Sequence, residues 1–254
     1  MAQDTFYQNV GGSGYIDNGD DVWATCRDAL TGQSIGGGTY NLHYLRSIYD
    51  AILHYNYYVT RVFIPFDTSS IPDGNVITAV QLKVYVRKWD GVSVIAGLVQ
   101  STQALPTALT LTDFDQVGST EGATRLIWTT EGWKTFDLNT VGLSWISKTG
   151  YTKLALRESK DIDNTTPINS NAYYLKTVSH PSQLIVTHYP VINPPIGFLE
   201  GKRKSGGFLT GLKQTSKNDM LKKTGGVIGS SHQESKYQMK RKPGGFLGGS
   251  KKAQ

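Results

Sequence analysis

The clearest alternation of apolar and polar positions lies in residues 61–87, where two patterned runs flank a turn-rich loop. The apolar side of the two runs comprises Val62, Ile64, Phe66, Val80, Leu82, Val84 and Val86. Arg61 and Phe63 point to the opposite side of the first run. A period of two indicates β-strands, and the Pro72-Asp73-Gly74 segment between them is typical of a tight turn. The pattern predicts a hairpin at the core of a β-sandwich.

Further short strands are predicted on both sides of residues 61–87. They cover residues 4–10, 22–27, 42–49, 52–60, 92–98, 133–137, 151–157, 172–177 and 183–189. A helix is the alternative for residues 45–54, because apolar residues there approach helical spacing. Many short strands separated by turn residues are typical of two-sheet sandwiches. The sequence therefore predicts an all-β, two-sheet jelly-roll sandwich over residues 1–190.

One short helix is predicted among these strands, at residues 139–147. Asn139 or Thr140 is its expected N-cap, because short polar side chains accept hydrogen bonds from the first free backbone amides. Val141 and Ile146 are expected to face the interior.

Charge is distributed unevenly along the chain. Residues 1–190 hold 13 Lys and Arg against 17 Asp and Glu, a balance of −4. Residues 191–254 hold 13 against 3, a balance of +10, together with 12 of the 28 glycines. Such asymmetry predicts a basic C-terminal arm with a partner of its own.

Cysteine content and hydropathy limit the class of protein further. Cys26 is the one cysteine, which excludes an internal disulfide and favours a small buried side chain. The first residues carry no basic stretch followed by an apolar run, and no segment has about 20 consecutive apolar residues. We therefore expect synthesis in a host cytoplasm and no membrane partner.

Four segments together resemble a known family. They are Arg-x-Phe-x-x-Phe-Asp-x-Ser-x-Ile-Pro at 61–72, the segments 113–121 and 133–157, and the closing strand 181–189. The chain is similar to the DNRLRE-type, carbohydrate-binding-module-like jelly-roll family, in the version seen in tailed-phage and metagenomic proteins. The resemblance covers roughly residues 4–190. It implies a jelly-roll fold and a protein encoded by a phage.

A weak repeat runs through residues 191–254. Glycine, two bulky apolar residues and a further glycine recur four times, with Phe198, Leu199, Phe208, Leu209, Val227, Ile228, Phe246 and Leu247 as the apolar pairs. Basic clusters lie between the repeats and consist of Lys202, Arg203, Lys204, Lys222, Lys223, Lys240, Arg241 and Lys242, followed by Lys251 and Lys252.

This composition cannot bury enough apolar area to fold alone. Each Phe-Leu pair would contribute about 3–5 kcal/mol if it were fully buried in a partner's groove. Several such anchors on one extended arm would give multivalent attachment. The alternative is a disordered, solubilising tail.

Candidate catalytic and metal-binding groups form no recognised motif. His43, His54, His180, His188 and His232 lack metal-ligand spacing, and no nucleophile elbow is present. Residues 17–21 and 161–164 are rich in carboxylate and amide oxygens, which calcium prefers. Ordinary turns capped by Asp and Asn explain the same pattern. We expect no enzyme and no cofactor, with a structural calcium as the alternative.

Aromatic residues supply one candidate ligand surface. Trp89, Tyr55, Tyr57 and Trp128 could together form an aromatic surface that stacks against sugars. Core or interface packing is the alternative for all four residues.

The leading hypothesis from the sequence is a non-enzymatic phage structural protein, located in the virion. It would be a capsid decoration or cement protein, or a neck or tail component, present in many copies or as a homo-oligomer. Its arm would bind other virion proteins of the capsid or tail lattice. The first alternative is a carbohydrate-binding or adhesion module that contacts a host-surface glycan. The second is an arm that contacts nucleic acid inside a capsid.

Overall fold

The computed structural model describes residues 1–37, 42–50, 56–87, 93–168, 172–176 and 180–191. Its strands are β1 Ala2–Tyr7, β2 Gly14–Asp20, β3 Ser34–Gly37, β4 Leu42–Tyr49, β5 Tyr57–Asp67, β6 Asn75–Arg87, β7 Val94–Ser101, β8 Val117–Glu121, β9 Leu126–Trp128, β10 Gly132–Asp137, β11 Tyr151–Glu158, β12 Ala172–Lys176 and β13 Gln183–Pro190. Its helices are α1 Trp23–Arg27, α2 Thr140–Ser144, α3 Ser159–Asp163 and a 3-10 helix Leu111–Asp115.

The strands form two antiparallel sheets that pack as a jelly-roll sandwich. One sheet has β1, β13, β6 and β10, and the other has β3, β2, β5, β11 and β7, with β8 and β9 both paired to β7. β4 pairs with β5 and with β12, and β12 also pairs with the end of β6. These pairings join the two sheets along one side. The predicted all-β, two-sheet jelly roll is confirmed.

The core lies between the sheets and is built by the alternating residues of β5 and β6. Val62, Ile64 and Phe66 are completely buried on β5. The inward side of β6, from Val80 to Val86 in steps of two, belongs to the same cluster. The predicted apolar face is therefore confirmed, because a period of two places alternate side chains on one side of a strand.

The predicted hairpin at residues 61–87 is wrong. β5 is hydrogen-bonded to β2, β4 and β11, whereas β6 is hydrogen-bonded to β10, β12 and β13. The loop between them crosses from one sheet to the other, and the two apolar faces meet across the core. Alternation specifies which side of a strand is buried, but it does not specify which strand is its neighbour.

β5 is also buried on its opposite face. Phe63 and Val59 pack there in a second apolar cluster with Ile16, Trp23, Cys26 and Phe114. Cys26 is completely buried, as predicted. The strand predicted at residues 22–27 is wrong: this segment is helix α1, which buries Trp23 and Cys26 on one face at a spacing of three.

Two further segments test the helix predictions. Residues 42–49 form strand β4, so the helix alternative is wrong for the described part of residues 45–54. Asn139 caps helix α2, as predicted, because its side-chain oxygen accepts a hydrogen bond from the Gly142 amide at 3.0 Å. Ile146 is buried, whereas Val141 is 40% exposed, so its predicted inward position is wrong.

Candidate functional site

A shallow groove of about 270 Å³ opens on the sheet made by β1, β13, β6 and β10, beside the end of β10. Its lining includes Gln3, Thr78, Gln81, Asp137, Ile185 and Thr187. The antiparallel register brings these residues together, because Gln81 lies opposite both Asp137 on β10 and Ile185 on β13. Residues that are distant in sequence thus share one surface.

Hydrogen bonds hold the polar side chains of the groove in place. The Gln81 amide donates to Asp137 Oδ1 at 2.7 Å. The Thr78 hydroxyl donates to the backbone oxygen of Thr187 at 3.2 Å, and the Gln3 amide lies 3.4 Å from the Thr187 hydroxyl. Ile185 adds an apolar surface beside them. The groove therefore offers amide, carboxylate and hydroxyl groups around an apolar patch.

An aromatic cluster lies farther along β6 and β10. Trp133 is 40% exposed and lies opposite Tyr85 in the strand register. The Tyr85 and His180 rings stack at a centroid distance of 4.1 Å, and Trp133 stands nearly perpendicular to both, 5.6 and 5.7 Å away. Tyr85 donates to Glu131 Oε1 at 3.2 Å, and this hydrogen bond raises the pKa of Tyr85. The cluster presents part of an indole ring to solvent from a fixed support.

The groove and the aromatic cluster face the same side of the sheet. Tyr85, Lys83 and Gln81 alternate on β6 with completely buried residues. Four residues along a strand correspond to about 13 Å, so Tyr85 and Gln81 lie about that far apart. Lys83 occupies the position between them. We call this surface, from Trp133 and Tyr85 to the groove, the outer face.

A dense group of charged side chains is buried elsewhere, behind β5. Arg61 and Arg157 each donate two hydrogen bonds to the Asp161 carboxylate, at 2.7–2.9 Å. Burial acts to raise the pKa of Asp161, but the two guanidinium groups lower that pKa to about 2. All three residues are at most 4% exposed. The carboxylate is therefore ionised and enclosed.

Backbone carbonyls accept further hydrogen bonds from this buried cluster. Arg61 donates to the carbonyl oxygens of Phe114 and Arg27, and Arg157 donates to that of Gly118. Arg61 also lies 4.2 Å above the Phe114 ring. The cluster connects β5, β11, α3 and the loops over them. We interpret it as a structural support, since none of its charged groups reaches a solvent-filled space.

Several oxygens of the two oxygen-rich loops already have hydrogen-bond or ion-pair partners. Asp161 is occupied by the two arginines, and Asp17 pairs with Arg46 and accepts a hydrogen bond from Thr60. Asp20 Oδ1 accepts a hydrogen bond from the Val22 amide, the predicted turn geometry. Among the described residues no three His, Cys, Asp or Glu side chains are grouped to hold a metal ion.

Two histidines are buried in different ways. His188 accepts a hydrogen bond at Nδ1 from the Asn75 amide (2.8 Å), which leaves Nε2 to donate to Asp4 (2.9 Å). His188 itself is 3% exposed. His43 is completely buried, and neither of its ring nitrogens has a hydrogen-bond partner. Burial lowers the pKa of His43 to about 4.

Comparison with solved structures yields weak similarities, one of which is described here. No family model and no curated protein matches the chain. A solved structure described as "Cowpea mosaic virus top component (CPMV-T) - naturally occurring empty particles" is 12% identical, with a TM-score of 0.18. The alignment covers 75% of this chain and 82% of that one.

No helix of the described residues has the length and apolar character needed to cross a membrane.

The predicted site residues fall into three groups. The eight apolar anchors and the basic clusters of residues 191–254 lie outside the described residues, as do Trp89 and Tyr55. Tyr57 is half-buried and packs against Trp23 and Tyr49, so it is not on the outer face. Trp128 is completely buried, which confirms core packing, the alternative to sugar contact, for this residue.

Sequence reasoning missed Trp133 and Tyr85 as surface residues. Tyr85 lies between the buried Val84 and Val86 on β6, whereas Trp133 lies between Gly132 and Lys134 on β10. The sequence offered one signal, an aromatic residue at a strand position that alternation predicts to be polar. Whether two such residues meet on the surface depends on the pairing of β6 with β10, which the sequence does not specify.

Proposed function

We propose that this protein is a non-enzymatic structural component of a virus particle, in which residues 191–254 attach the jelly-roll body to neighbouring subunits. The observation that carries the proposal is the change in charge from −4 to +10 at residue 190, together with the four Gly-apolar-apolar repeats. The similarity of residues 4–190 to a jelly-roll family seen in tailed phages supports a viral context.

The construction of the body is compatible with a load-bearing role. The buried ionic cluster joins Arg61 and Asp161, which are 100 positions apart in sequence. β12 and β4 close one side of the sandwich. Contacts of this kind tie together segments of the body that are distant in sequence.

The arm would act through apolar anchors and basic clusters. Each large apolar side chain would stabilise the attachment by about 1.5–3 kcal/mol on full burial. Several anchors on one chain raise the effective concentration for each later contact, so binding by the whole arm exceeds that of any one anchor. The lysines and arginines favour an acidic protein lattice as the partner.

The test measures incorporation into particles. A virus that lacks the gene is supplied with the full chain or with a triple variant, Phe198→Ser, Phe208→Ser and Phe246→Ser. Copies per purified particle are then counted by quantitative mass spectrometry. We expect the variant to be strongly depleted, because each lost phenylalanine costs more than tenfold in binding when its side chain is buried.

The matched control changes three exposed apolar residues of the body to serine: Val22, Leu30 and Ile127, which are 57%, 75% and 61% exposed. This control should incorporate normally. Normal incorporation of the triple phenylalanine variant, or of a chain that ends after Val191, would refute the proposed attachment.

A second measurement distinguishes the partner of the arm. Attachment to a protein lattice through apolar anchors should persist as salt is raised. Attachment to nucleic acid through the basic clusters should weaken steeply with salt, because each neutralised phosphate releases counterions.

A further inference from the structure

We propose that the outer face is the contact surface for a second copy of this chain, with β6 of each copy packed on β10 of the other about a two-fold axis. This assignment goes beyond attachment by the arm, because it uses none of residues 191–254. It specifies the surface, the symmetry and the facing residues of the contact, none of which composition or charge can indicate.

The contact surface is a strip made by the outward residues of β6 and β10. Outward residues of β6 alternate with completely buried ones, and the register places each of them beside a residue of β10. The strip consists of Gln81, Lys83, Tyr85 and Arg87 on β6, Trp133, Thr135 and Asp137 on β10, and Glu131 just before β10. Within it, Tyr85 lies beside Trp133 and Gln81 lies beside Asp137.

A two-fold axis parallel to the strands, midway between β6 and β10, turns this register into contacts between copies. Rotation about that axis lays β6 over the partner's β10 and keeps each residue at its own height along the strands. Each β6 residue then faces the partner's copy of its own β10 neighbour. Tyr85 faces the partner's Trp133 and Gln81 faces the partner's Asp137, and the symmetry repeats both contacts.

The charges of the strip suit this arrangement. Lys83 and Arg87 both belong to β6, whereas Asp137 and Glu131 belong to β10 and the residue before it. The register continues past the start of β10, which brings Glu131 level with Arg87. Arg87 would therefore face the partner's Glu131, and Lys83 would lie diagonally across from the partner's Asp137. The positive row of each copy meets the negative row of the other, and such complementarity fixes the register of an interface.

The two carboxylates retain their charge for a partner. Asp137 accepts a hydrogen bond from the Gln81 amide, and Glu131 accepts one from the Tyr85 hydroxyl. Both donors are neutral, so these bonds hold the carboxylates in position without neutralising them. The cations of a second copy would supply the compensating charge.

An aromatic row lies at the centre of the strip. The rings of His180, Tyr85 and Trp133 follow one another across the sheet, with neighbouring centroids 4.1 and 5.6 Å apart. Trp133 is 40% exposed in the single chain. Tryptophan and tyrosine are enriched at the centres of protein interfaces, inside a polar rim. Because these rings already hold each other, little conformational entropy is lost on association.

The size of the strip indicates a weak contact. It spans two strands about 4.8 Å apart over a length of about 20 Å, which is less than the about 800 Å² per partner of a standard interface. We therefore expect a dissociation constant in the micromolar range. Many copies attached to one particle would raise the effective concentration and favour the contact.

The test is sedimentation velocity of the full chain over a concentration series, with two charge-reversal variants. Arg87→Glu brings two carboxylates face to face at both symmetric contacts, and Glu131→Arg brings two cations face to face there. Each variant alone should dimerise about tenfold more weakly than the unchanged chain, or worse. In an equimolar mixture with one variant fluorescently labelled, each reversed position faces an opposite charge, so the mixed dimer should form about as well as the unchanged one.

Trp133→Ala should weaken dimerisation about tenfold through the loss of the central aromatic contact. The matched control is Tyr189→Ala, since Tyr189 is also 40% exposed but lies on β13, outside the strip. It should dimerise like the unchanged chain, and thermal unfolding should show that every variant is folded.

Three results would each overturn the assignment. They are a chain that stays monomeric throughout the series, self-association that Arg87→Glu leaves unchanged, and a mixture of the two charge variants that does not restore the dimer. The arm is intact in every variant, so the incorporation assay described above reports on the attachment role separately.

Discussion

Removing the charge of Asp161 is expected to be the most destabilising single-atom change in the body. Asp161→Asn keeps the shape of the side chain but replaces one carboxylate oxygen with an NH2 group. Arg61 and Arg157 would then face each other without a compensating charge, and the new NH2 group would face guanidinium donors. The perturbation is confined to the interior, since the Asp161 side chain is 1% exposed.

The magnitude follows from the contacts of this carboxylate. It accepts four hydrogen bonds from the two guanidinium groups, and neither arginine can lose its proton. Breaking a buried ion pair by removing one partner costs about 3–5 kcal/mol. A domain of this kind has a total free energy of unfolding of about 5–15 kcal/mol. The variant should therefore lose about a fifth or more of its stability.

The assay is urea unfolding of the full chain, followed by tryptophan fluorescence. Asp163→Asn is the matched control, because it lies on the same helix and also pairs with an arginine, Arg125. Its side chain is 47% exposed, so its loss should cost less than about 1 kcal/mol. A difference between the two variants below about 1 kcal/mol would refute the view that the buried cluster holds the body together.

The same carboxylate contributes a pH dependence whose sign can be worked out. Its pKa is lowered to about 2 in the folded chain from an ordinary value near 3.8. The stabilisation is therefore complete above the ordinary pKa and is lost as the pH falls toward 2, since the unfolded chain binds the proton first. Unfolding midpoints measured from pH 5 downward should fall more steeply for the unchanged chain than for Asp161→Asn.

Three further predictions concern single residues. His43 has its pKa lowered to about 4 from 6.5, so stability should fall by about 3 kcal/mol as the pH drops from above 6.5 to below 4. His43→Leu should flatten this dependence in urea titrations, and at neutral pH it should cost little, because no hydrogen bond is lost. Asn139→Ala should cost about 1 kcal/mol by removing the N-cap of helix α2, measured by the same titration. Gly12→Ala should lower the thermal midpoint by several degrees, because a Cβ atom there would lie 1.8 Å from the Pro106 backbone oxygen.

Each of these has an outcome that contradicts it. If the pH dependence of stability were unchanged in His43→Leu, a group other than His43 would have to titrate between about pH 4 and 6.5. Asn139→Asp retains an accepting oxygen and should restore most of the loss seen with alanine. If Gly74→Ala, which meets no atom within 4 Å, were as damaging as Gly12→Ala, close backbone approach would not explain the effect.

Several features of the fold could be predicted because they are local. The apolar side of β5 and β6 follows from a period of two, and Ile64 and Leu82 are buried accordingly. The Asn139 cap follows from the side chain itself and its spacing to Gly142. The helix at residues 23–27 was missed, because five residues are too few for a helical period to be distinguished from a strand.

The candidate site could not be predicted in the same way. Trp133 and Tyr85 meet because β10 pairs with β6, and the groove exists because β13 and β1 continue the same sheet. The opposite holds for the arm at residues 191–254. Its apolar anchors and basic clusters can be identified from the sequence, but they lie outside the described residues. Their role remains a prediction.

The sequence by itself determined the all-β class, the inward side of each strong strand, and the contrast between an acidic body and a basic arm. Each of these depends on neighbouring residues or on composition. Only the tertiary structure decided that β5 and β6 lie in opposite sheets, that Arg61 meets Asp161, and that an aromatic and polar outer face exists. These features depend on pairing between distant segments, and the alternation of side chains is the same whichever partner a strand takes.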